Sequence, residues 1–321
     1  MQHTDILVIG GAGFIGRHIV NRLIDRGLRV TVPVRRRSRA GSLITLPTID
    51  VVEADVNDDA VLGRLVRGRD AVINLVGILQ GSRGAPYGPE FAQAHVELPR
   101  RIILACEREA VRRLLHMSAL GADANGPSMY QRSKGVGEAL VRASQLDWTI
   151  FQPSVVFGPE DRFLNTFARL AVLSPVLPVA NADARFQPVY VGDVADAFVN
   201  ALDNKATRRR GYELAGPRIY ALRELVQFAT RASGHPRVVV GLPAGIARAQ
   251  ARLMELAPGE PMLSRDNLDS MKRDNVASQQ PYRPAPELGI TLRAMEAVAP
   301  AWLAGQTPRA RLDVFRARAG R

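Results

Sequence analysis

Tyr130 and Lys134 are the residues of this chain whose types and spacing most directly suggest chemistry. Four residues apart on a helix, they lie one turn apart on the same face. An ammonium there stands near both a phenol and a ribose, and is expected to lower the phenol pKa from its ordinary value of about 10. Such a tyrosine passes a proton to or from a carbonyl or alcohol oxygen while hydride moves at a nicotinamide. The bland alternative is an exposed helical pair. Against it, Lys134 is one of three lysines, with Lys205 and Lys272, among 43 basic residues. A mere surface charge in so arginine-rich a chain would be expected to be arginine.

The elements that must position this pair begin at the N-terminus. Asp5-Ile6-Leu7-Val8-Ile9 is a short apolar run, as a strand buried on both faces requires. Gly10-Gly11-Ala12-Gly13-Phe14-Ile15-Gly16 follows. Glycines in that pattern turn the chain sharply, admit a pyrophosphate and let the helix pack on the sheet. Ile15, Ile19, Val20, Leu23 and Ile24 recur at helical spacing, and Gly27 stands where a C-terminal cap belongs. The helix N-terminus, from Gly13 through Phe14, Ile15 and Gly16, offers unpaired N–H groups and partial positive charge to phosphates. Residues 30–34 read as a second strand. Folds that select NAD commonly place an acid at its end. This chain has Arg35, Arg36 and Arg37 there. Guanidinium groups pair with a 2′-phosphate that a carboxylate would repel, so NADP(H) is expected over NAD(H), held by Arg35 and Arg36.

A third strand, residues 50–55, ends at Asp55. This acid either accepts from an adenine amino group, with Val56 against the ring, or caps the helix starting near Asp58 or Asp59. Residues 71–77 are a fourth apolar strand, opening at Gly77. Strand C-terminal ends line the ligand crevice of open parallel sheets, so Leu75, Val76 and Gly77 are expected at the cofactor. Residues 81–89 form a Gly/Pro-rich loop expected to be mobile over the site. The helix expected over residues 91–110 holds His95, read as a packing residue without a role, and Cys106, read as core. Residues 113–119 are a fifth strand ending at Ser118-Ala119, twelve residues before Tyr130. Residues 148–153 are a sixth, and Pro153 and Val156 suit a turn beneath a nicotinamide. Residues 186–194 read as a strand entering a helix with Asp193 at its N-cap.

The chain resembles an extended or atypical short-chain dehydrogenase/reductase. The resemblance rests on Gly10-x-x-Gly13-x-x-Gly16, Asp55-Val56, Asn74-Leu75-Val76-Gly77, Tyr130-x-x-x-Lys134, Pro153-Ser154-Val155-Val156-Phe157-Gly158-Pro159 and Pro188-Val189-Tyr190-Val191-Gly192-Asp193-Val194, in the family's order. These cover about the first two hundred residues. Val32-Pro33-Val34-Arg35, Met117-Ser118-Ala119-Leu120-Gly121 and residues 157–165 are similar, more narrowly, to bacterial relatives of the NADPH-binding accessory subunit of mitochondrial complex I. The resemblance implies an α/β fold: a Rossmann-like doubly wound parallel sheet with a smaller C-terminal substrate lobe. It implies NADP(H), with Arg35 on the 2′-phosphate. Residues 1–160 would bind the nucleotide, with 185–210 returning to that domain. Residues 161–184 and 211–307 would form the cap lobe, and 308–321 a basic tail. One departure stands out. The family's catalytic serine is usually the second of a Ser-Ser or Ser-Thr pair, a place held here by Ala119. Ser118 could replace it only if the strand shifts by one residue, which turns its side chain to the other face.

With 321 residues, 46% of them hydrophobic, the chain has ample material for a core. The single cysteine excludes an internal disulfide framework. The first strand begins within five residues, leaving no room for a signal peptide, and no apolar run is long enough to span a bilayer. A cytoplasmic protein is expected, with attachment to the periphery of a membrane as the variant. The net charge of +12 is not one patch in sequence; arginines cluster near residues 35–39, 208–210 and 309–321. No aromatic residues interleave with the first two, so nucleic acid is not expected as a partner. A basic surface in water explains the excess, and anionic membrane attraction is the alternative. Metal-ligand spacings of His, Cys and acids are absent, so no metal is expected. From about residue 210 the signals weaken. A helix over 222–232, a strand over 238–240 and a helix over 245–256 are expected, the last with Ile246, Ala249, Leu253 and Leu256 on one side.

The leading expectation is therefore an NADP(H)-dependent oxidoreductase acting on a small carbonyl, alcohol or quinone-related substrate. Tyr130, Lys134 and Ser118 are its catalytic candidates. One alternative is a non-catalytic NADPH-binding scaffold or assembly protein of a respiratory or quinone pathway, with a protein partner. It follows from the narrower resemblance and from Ala119. Another is a nucleotide-sugar epimerase or dehydratase, against which the short gap between Ser118 and Tyr130 argues.

Overall fold

The computed structural model describes residues 3–256, 259 and 261–304. The arginine-rich segment 308–321 lies outside them. In chain order the principal elements are β1 (Asp5–Ile9), α1 (Phe14–Asp25), β2 (Arg29–Val34), β3 (Ile49–Glu53), α2 (Asp59–Val66), β4 (Ala71–Asn74), α3 (Pro89–Ala92) and α4 (Leu98–Arg108), with a π-helical turn, Gln93–Glu97, between the last two. Then come β5 (Arg113–Met117), α5 (Met129–Ala143), β6 (Asp147–Pro153), β7 (Val156–Phe157), α6 (Leu164–Leu173), β8 (Val176–Ala180), β9 (Arg185–Phe186), β10 (Val189–Tyr190) and α7 (Val191–Asp203). The last group is β11 (Arg210–Leu214), β12 (Tyr220–Ala221), α8 (Leu222–Ala232), β13 (Val238–Leu242), α9 (Ala244–Met254) and α10 (Arg265–Ser270).

The chain packs as two compact units. The first comprises the described residues up to Pro153, Val191–Leu214 and Arg283–Thr291. The second comprises Ser154–Tyr190, Ala215–Tyr282 and the described residues from Leu292. The stretch 283–291 packs with the first unit although it lies far beyond residue 211. The amide of Asn200 donates to the Leu288 carbonyl (2.8 Å), that of Asn204 to the Glu287 carbonyl (2.8 Å), and Tyr212 Oη to Glu287 (2.9 Å).

The first unit is built on a seven-stranded parallel sheet in the order β11-β6-β5-β4-β1-β2-β3. The order reverses between β1 and β4, which makes a crevice at the C-terminal strand ends. One core cluster joins Leu7, Ile9, Val72, Leu114 and Ile150 from the strands to Leu62, Ile102, Cys106 and Val141 from α2, α4 and α5. Cys106 is fully buried there, and burial pushes its thiol up to about 12. Helices α1 and α7 pack together, burying Ile19, Val20, Leu23, Val194 and Phe198. The start of β5 carries a buried arginine. Arg113 donates through Nε to the Leu202 carbonyl (2.9 Å) and through Nη1 to that of Asp147 (2.6 Å), so its charge meets the last carbonyls of α7.

Several boundaries differ from the sequence expectation. β4 ends at Asn74, so residues 75–77 leave the ladder as a loop, although the Leu75 amide still donates to the Ile9 carbonyl (2.9 Å). Helix α6 starts only at Leu164, because the Asp161 carboxylate ahead of it accepts from the amides of Gly158 (3.0 Å) and Phe163 (2.7 Å) and holds a turn. Asp193 is not an N-cap. Helix α7 already begins at Val191, which puts the acid within its first turn, where the helix dipole favours it. β11, in the stretch where the sequence signals weaken, pairs with β6 as the edge of the main sheet.

The second unit packs α6 and α8 around Leu164, Ala168, Leu225, Val226 and Ala229, with the parallel ribbon β8–β13 beside them. Among the described residues, no helix is long and apolar enough to cross a membrane.

Candidate functional site

The glycine turn is built by contact. Gly10 has φ +87°, and a Cβ there would stand 3.2 Å from the Leu75 carbonyl carbon and the Val76 nitrogen. The turn backbone and the loop after β4 thus touch. A Cβ at Gly16 would stand 2.4 Å from the Gly10 oxygen, so only glycine lets α1 start this close to the turn. Gly13 is the N-cap of α1 and no side chain caps it. The first-turn amides of Phe14, Ile15 and Gly16 therefore have no acceptor within the helix. Uncapped amides at a helix N-terminus are what the expected phosphate contact requires.

Arg35 and Arg36 follow directly on β2. Both are exposed, and neither makes a hydrogen bond or ion pair among the described residues. The nearby acid Glu53 accepts from the backbone amide of Arg37 (3.2 Å). Asp55 lies at the end of β3 and does not cap α2. Asp58 does so, accepting from the amides of Ala60 (2.8 Å) and Val61 (2.9 Å). Asp55 instead closes a small turn on Asn57, bonding its backbone amide (3.0 Å) and its side-chain amide (2.8 Å). Those bonds, aided by Arg35 and Arg101, lower its carboxyl pKa. Arg101 pins the same turn through the Asn57 carbonyl (2.8 Å).

Ser128 caps α5 and accepts from the Gln131 amide (3.0 Å), so Tyr130 falls in the first turn and Lys134 in the second. Lys134 is buried, and its ammonium donates to the Met117 carbonyl at the end of β5 (3.0 Å). Its other two N–H donors have no partner among the described residues. The Lys134 Nζ also lies 3.2 Å from where a Gly77 Cβ would be, so glycine leaves the loop backbone open to the ammonium. Burial lowers Lys134 to about 8. Burial also raises the Tyr130 phenol to about 12. The sequence expectation was the reverse, a phenol pulled down by its lysine. Desolvation of the phenolate outweighs that pull here.

The Ser118 amide donates to the Phe151 carbonyl (2.7 Å), so the chain runs on beside β6 past the end of β5. Ser118 is buried, and its Oγ has no partner among the described residues. Ala119 is buried without a hydroxyl. Pro153 ends β6, where its carbonyl accepts from the Leu120 amide (2.9 Å). Val156 belongs to the second unit, in β7 beside Val189. The loop 81–89, expected to be mobile, is tied. Glu90 accepts from the amide (2.9 Å) and hydroxyl (2.6 Å) of Ser82, and Arg132 donates to the Pro86 carbonyl (2.8 Å).

Sequence reasoning missed two histidines. His95, in the π-helical turn, is buried. Its Nε2 accepts from the Ile78 amide (3.0 Å). The proton must then sit on Nδ1, which donates to Ser133 Oγ (2.8 Å), and Ser133 donates to the Tyr130 carbonyl (2.9 Å). His116 stands opposite Asn74 in the β4–β5 register. Asn74 Oδ1 accepts from the Val76 amide (3.2 Å), and its amide nitrogen donates to His116 Nδ1 (3.2 Å). Both rings are neutral. Burial, reinforced by Lys134, lowers His95 to about 2 and His116 to about 3. His95 thus holds the Ile78 amide directly, His116 reaches the Val76 amide through Asn74, and both rings feel the Lys134 charge. The signal available for His116 and Asn74 was a polar residue inside an apolar strand run. Among the described residues, no group of three His, Cys, Asp or Glu is arranged to hold a metal.

Residues 6–215 match the model of the NAD dependent epimerase/dehydratase family. The chain belongs to that family. Its fold, a Rossmann-like parallel sheet, is that of the NAD(P)-binding extended short-chain dehydrogenases, as the motif order implies. Members similar to it include subunit 9 of the alpha subcomplex of NADH dehydrogenase (ubiquinone) 1, mitochondrial, of Rattus norvegicus. That protein is 32% identical over 281 residues, 84% of this chain and 72% of the relative. A ceramide reductase of Caulobacter vibrioides is 31% identical over 194 residues, 60% of this chain and 59% of that one. Among solved structures, the NADPH-dependent quinone oxidoreductase QOR2 of Escherichia coli, complexed with NADPH, superposes with a TM-score of 0.73 at 20% identity. It covers 92% of this chain and 98% of its own. At that identity the likeness shows the fold alone.

In the second unit, a cavity of about 700 Å³ is lined by Asn181, Asp183, Arg223, Leu242 and Met271. Asp183 and Arg223 form an ion pair across it (2.6 Å).

Proposed function

We propose that this chain is an oxidoreductase that uses NADP(H) on a carbonyl, alcohol or quinone-related substrate. The observation that carries the reading is Lys134. A buried ammonium is costly unless its donors are used. This one is bonded to a single carbonyl and keeps two donors toward the loop after β4. A ribose hydroxyl is the partner such donors fit. The residues present also fit the rest of the nucleotide: uncapped amides at α1, Arg35 and Arg36 for a 2′-phosphate, and Asp55 and Val56 for the adenine end.

When bound, the nicotinamide supplies or accepts the hydride. The chain's own part is proton handling. Tyr130 keeps its proton at neutral pH and gives it from Oη to the substrate oxygen. Lys134 stabilises the phenolate left behind. Ser118 carries the one hydroxyl of the Ser118-Ala119 pair, and its unpaired Oγ is the candidate second donor. His95 and Ser133 hold the turn that carries Tyr130.

A fluorescence titration tests the nucleotide. The chain is expected to bind NADPH tighter than NADH, and Arg35→Ala to weaken NADPH about tenfold or more while leaving NADH unchanged. Equal affinity for the two in the unaltered protein removes the role given to Arg35. Ala119 favours a second reading, an NADPH-bound scaffold without turnover, which fits the complex I subunit among the relatives. Oxidation of NADPH by a panel of carbonyls and quinones separates the two.

A further inference from the structure

Helix α9 turns its apolar stripe away from the protein. Ala247 and Ala251, one turn apart, are buried with Ala180 and Leu268. Ile246 and Leu253 lie on the opposite side and are 57% and 71% exposed, and Leu256, just beyond the helix, is 78% exposed. A helix on a protein surface ordinarily buries its large aliphatic residues and shows its small or polar ones. Here the order is inverted. The periodicity correctly groups Ile246, Ala249 and Leu253, but the packed side is the alanine side.

Charge says what can cover this face. Arg248 and Arg252, both exposed, stand one turn apart along the flank of the stripe. Arg248 lies 3.6 Å from Asp269, and Arg252 has no ion pair among the described residues. No acid occurs between residues 244 and 254, and Glu255 is engaged by Arg265 (2.7 Å). The whole chain carries +12. A second copy docking face to face would bring these arginines against their own kind. An anionic lipid surface has the matching sign, and its headgroup boundary accepts aliphatic side chains beside guanidinium groups.

We propose that the outward face of α9 seats this protein on anionic lipid membranes, with Ile246 and Leu253 entering the headgroup–acyl boundary and Arg248 and Arg252 meeting lipid phosphates. The helix is about 16 Å long and lies along the surface rather than across it. This contact does not depend on the catalytic reading.

The full chain is tested by flotation with vesicles of phosphatidylcholine, with and without phosphatidylglycerol. It is expected to float with the mixed vesicles and to lose most binding on pure phosphatidylcholine. The double variant Ile246→Ser/Leu253→Ser is expected to bind mixed vesicles about tenfold more weakly. Both side chains are exposed, so its melting temperature stays unchanged. The arginine-rich segment 308–321 is present in both proteins and cannot produce that difference. In a second measurement Leu253→Cys carries an environment-sensitive dye. Cys106 is fully buried and does not compete for the label. A blue shift on mixed vesicles is expected. Unchanged flotation of the double serine variant, or a dye that does not respond to vesicles, overturns the proposal. So does a dimer lost in that variant while vesicle binding persists, which assigns the face to a second copy.

Discussion

Tyr130→Phe is expected to lower turnover about a thousandfold while leaving NADPH affinity within about twofold. The phenyl ring keeps the volume and the edge-on contact with His95 (ring centroids 5.6 Å apart), so the local fold stands. The hydroxyl is lost, and with it the proton at Oη. Because burial raises the phenol to about 12, Tyr130 is protonated at neutral pH, and under the proposed function it is the acid of the reductive direction. The same electrostatics set a pH profile. Lys134 is lowered to about 8, so it sheds its proton as pH rises through that value. The charge that stabilises a phenolate is then gone, and reductive turnover is expected to fall above about pH 8. Steady-state NADPH oxidation checks both, with the titration of Tyr130→Phe as the binding control. Persistent turnover in that variant moves the proton donor elsewhere, with Ser118 next in line. Tight nucleotide binding with no turnover in either protein favours the scaffold.

What could be read from the sequence divides along a physical line. The β1–turn–α1 unit was legible because its demands are local. Gly16 must be glycine on account of Gly10, six residues away, and the helix begins where the strand ends. Tyr130 and Lys134 were legible for the same reason, since one helical turn relates them. The anchors of the Val76–Ile78 loop were not. His95 meets Ile78 across 17 residues and Ser133 across 38, and Asn74 meets His116 across 42. Only the sheet order brings those pairs together. Ionisation is harder still to read. The spacing of Tyr130 and Lys134 says that they can interact, but the depth of each group decides which way it shifts. Helix α9 shows the same limit: periodicity groups residues onto a face without saying which face meets the protein. Arg113 is a further case, an arginine in an arginine-rich chain whose burial follows from the carbonyls of α7 rather than from any local pattern.

Those two histidines should make the fold sensitive to mild acid. Each ring has an ordinary pKa of 6.5, lowered in the fold to about 2 for His95 and about 3 for His116. Below 6.5 the unfolded chain takes up protons that the folded chain refuses. Stability is therefore lost as pH falls from 6.5 toward the folded values, and it is unaffected by these groups at higher pH. From about pH 7 to pH 5.5 the pair is expected to remove roughly 2.5 kcal/mol, well before most carboxylates titrate. Urea unfolding at the two pH values measures it. The variant His95→Gln/His116→Gln supplies amide acceptors that do not ionise, and its stability is expected to be nearly flat over that interval. The slope is the readout, so a lower starting stability of the variant does not spoil the comparison. If the unaltered protein is itself flat, the rings accept protons within the fold, and the Ile78 amide would lose its acceptor without cost. The loop beside Lys134 would then be held by something other than neutral imidazole, and His95 would return to being a packing residue.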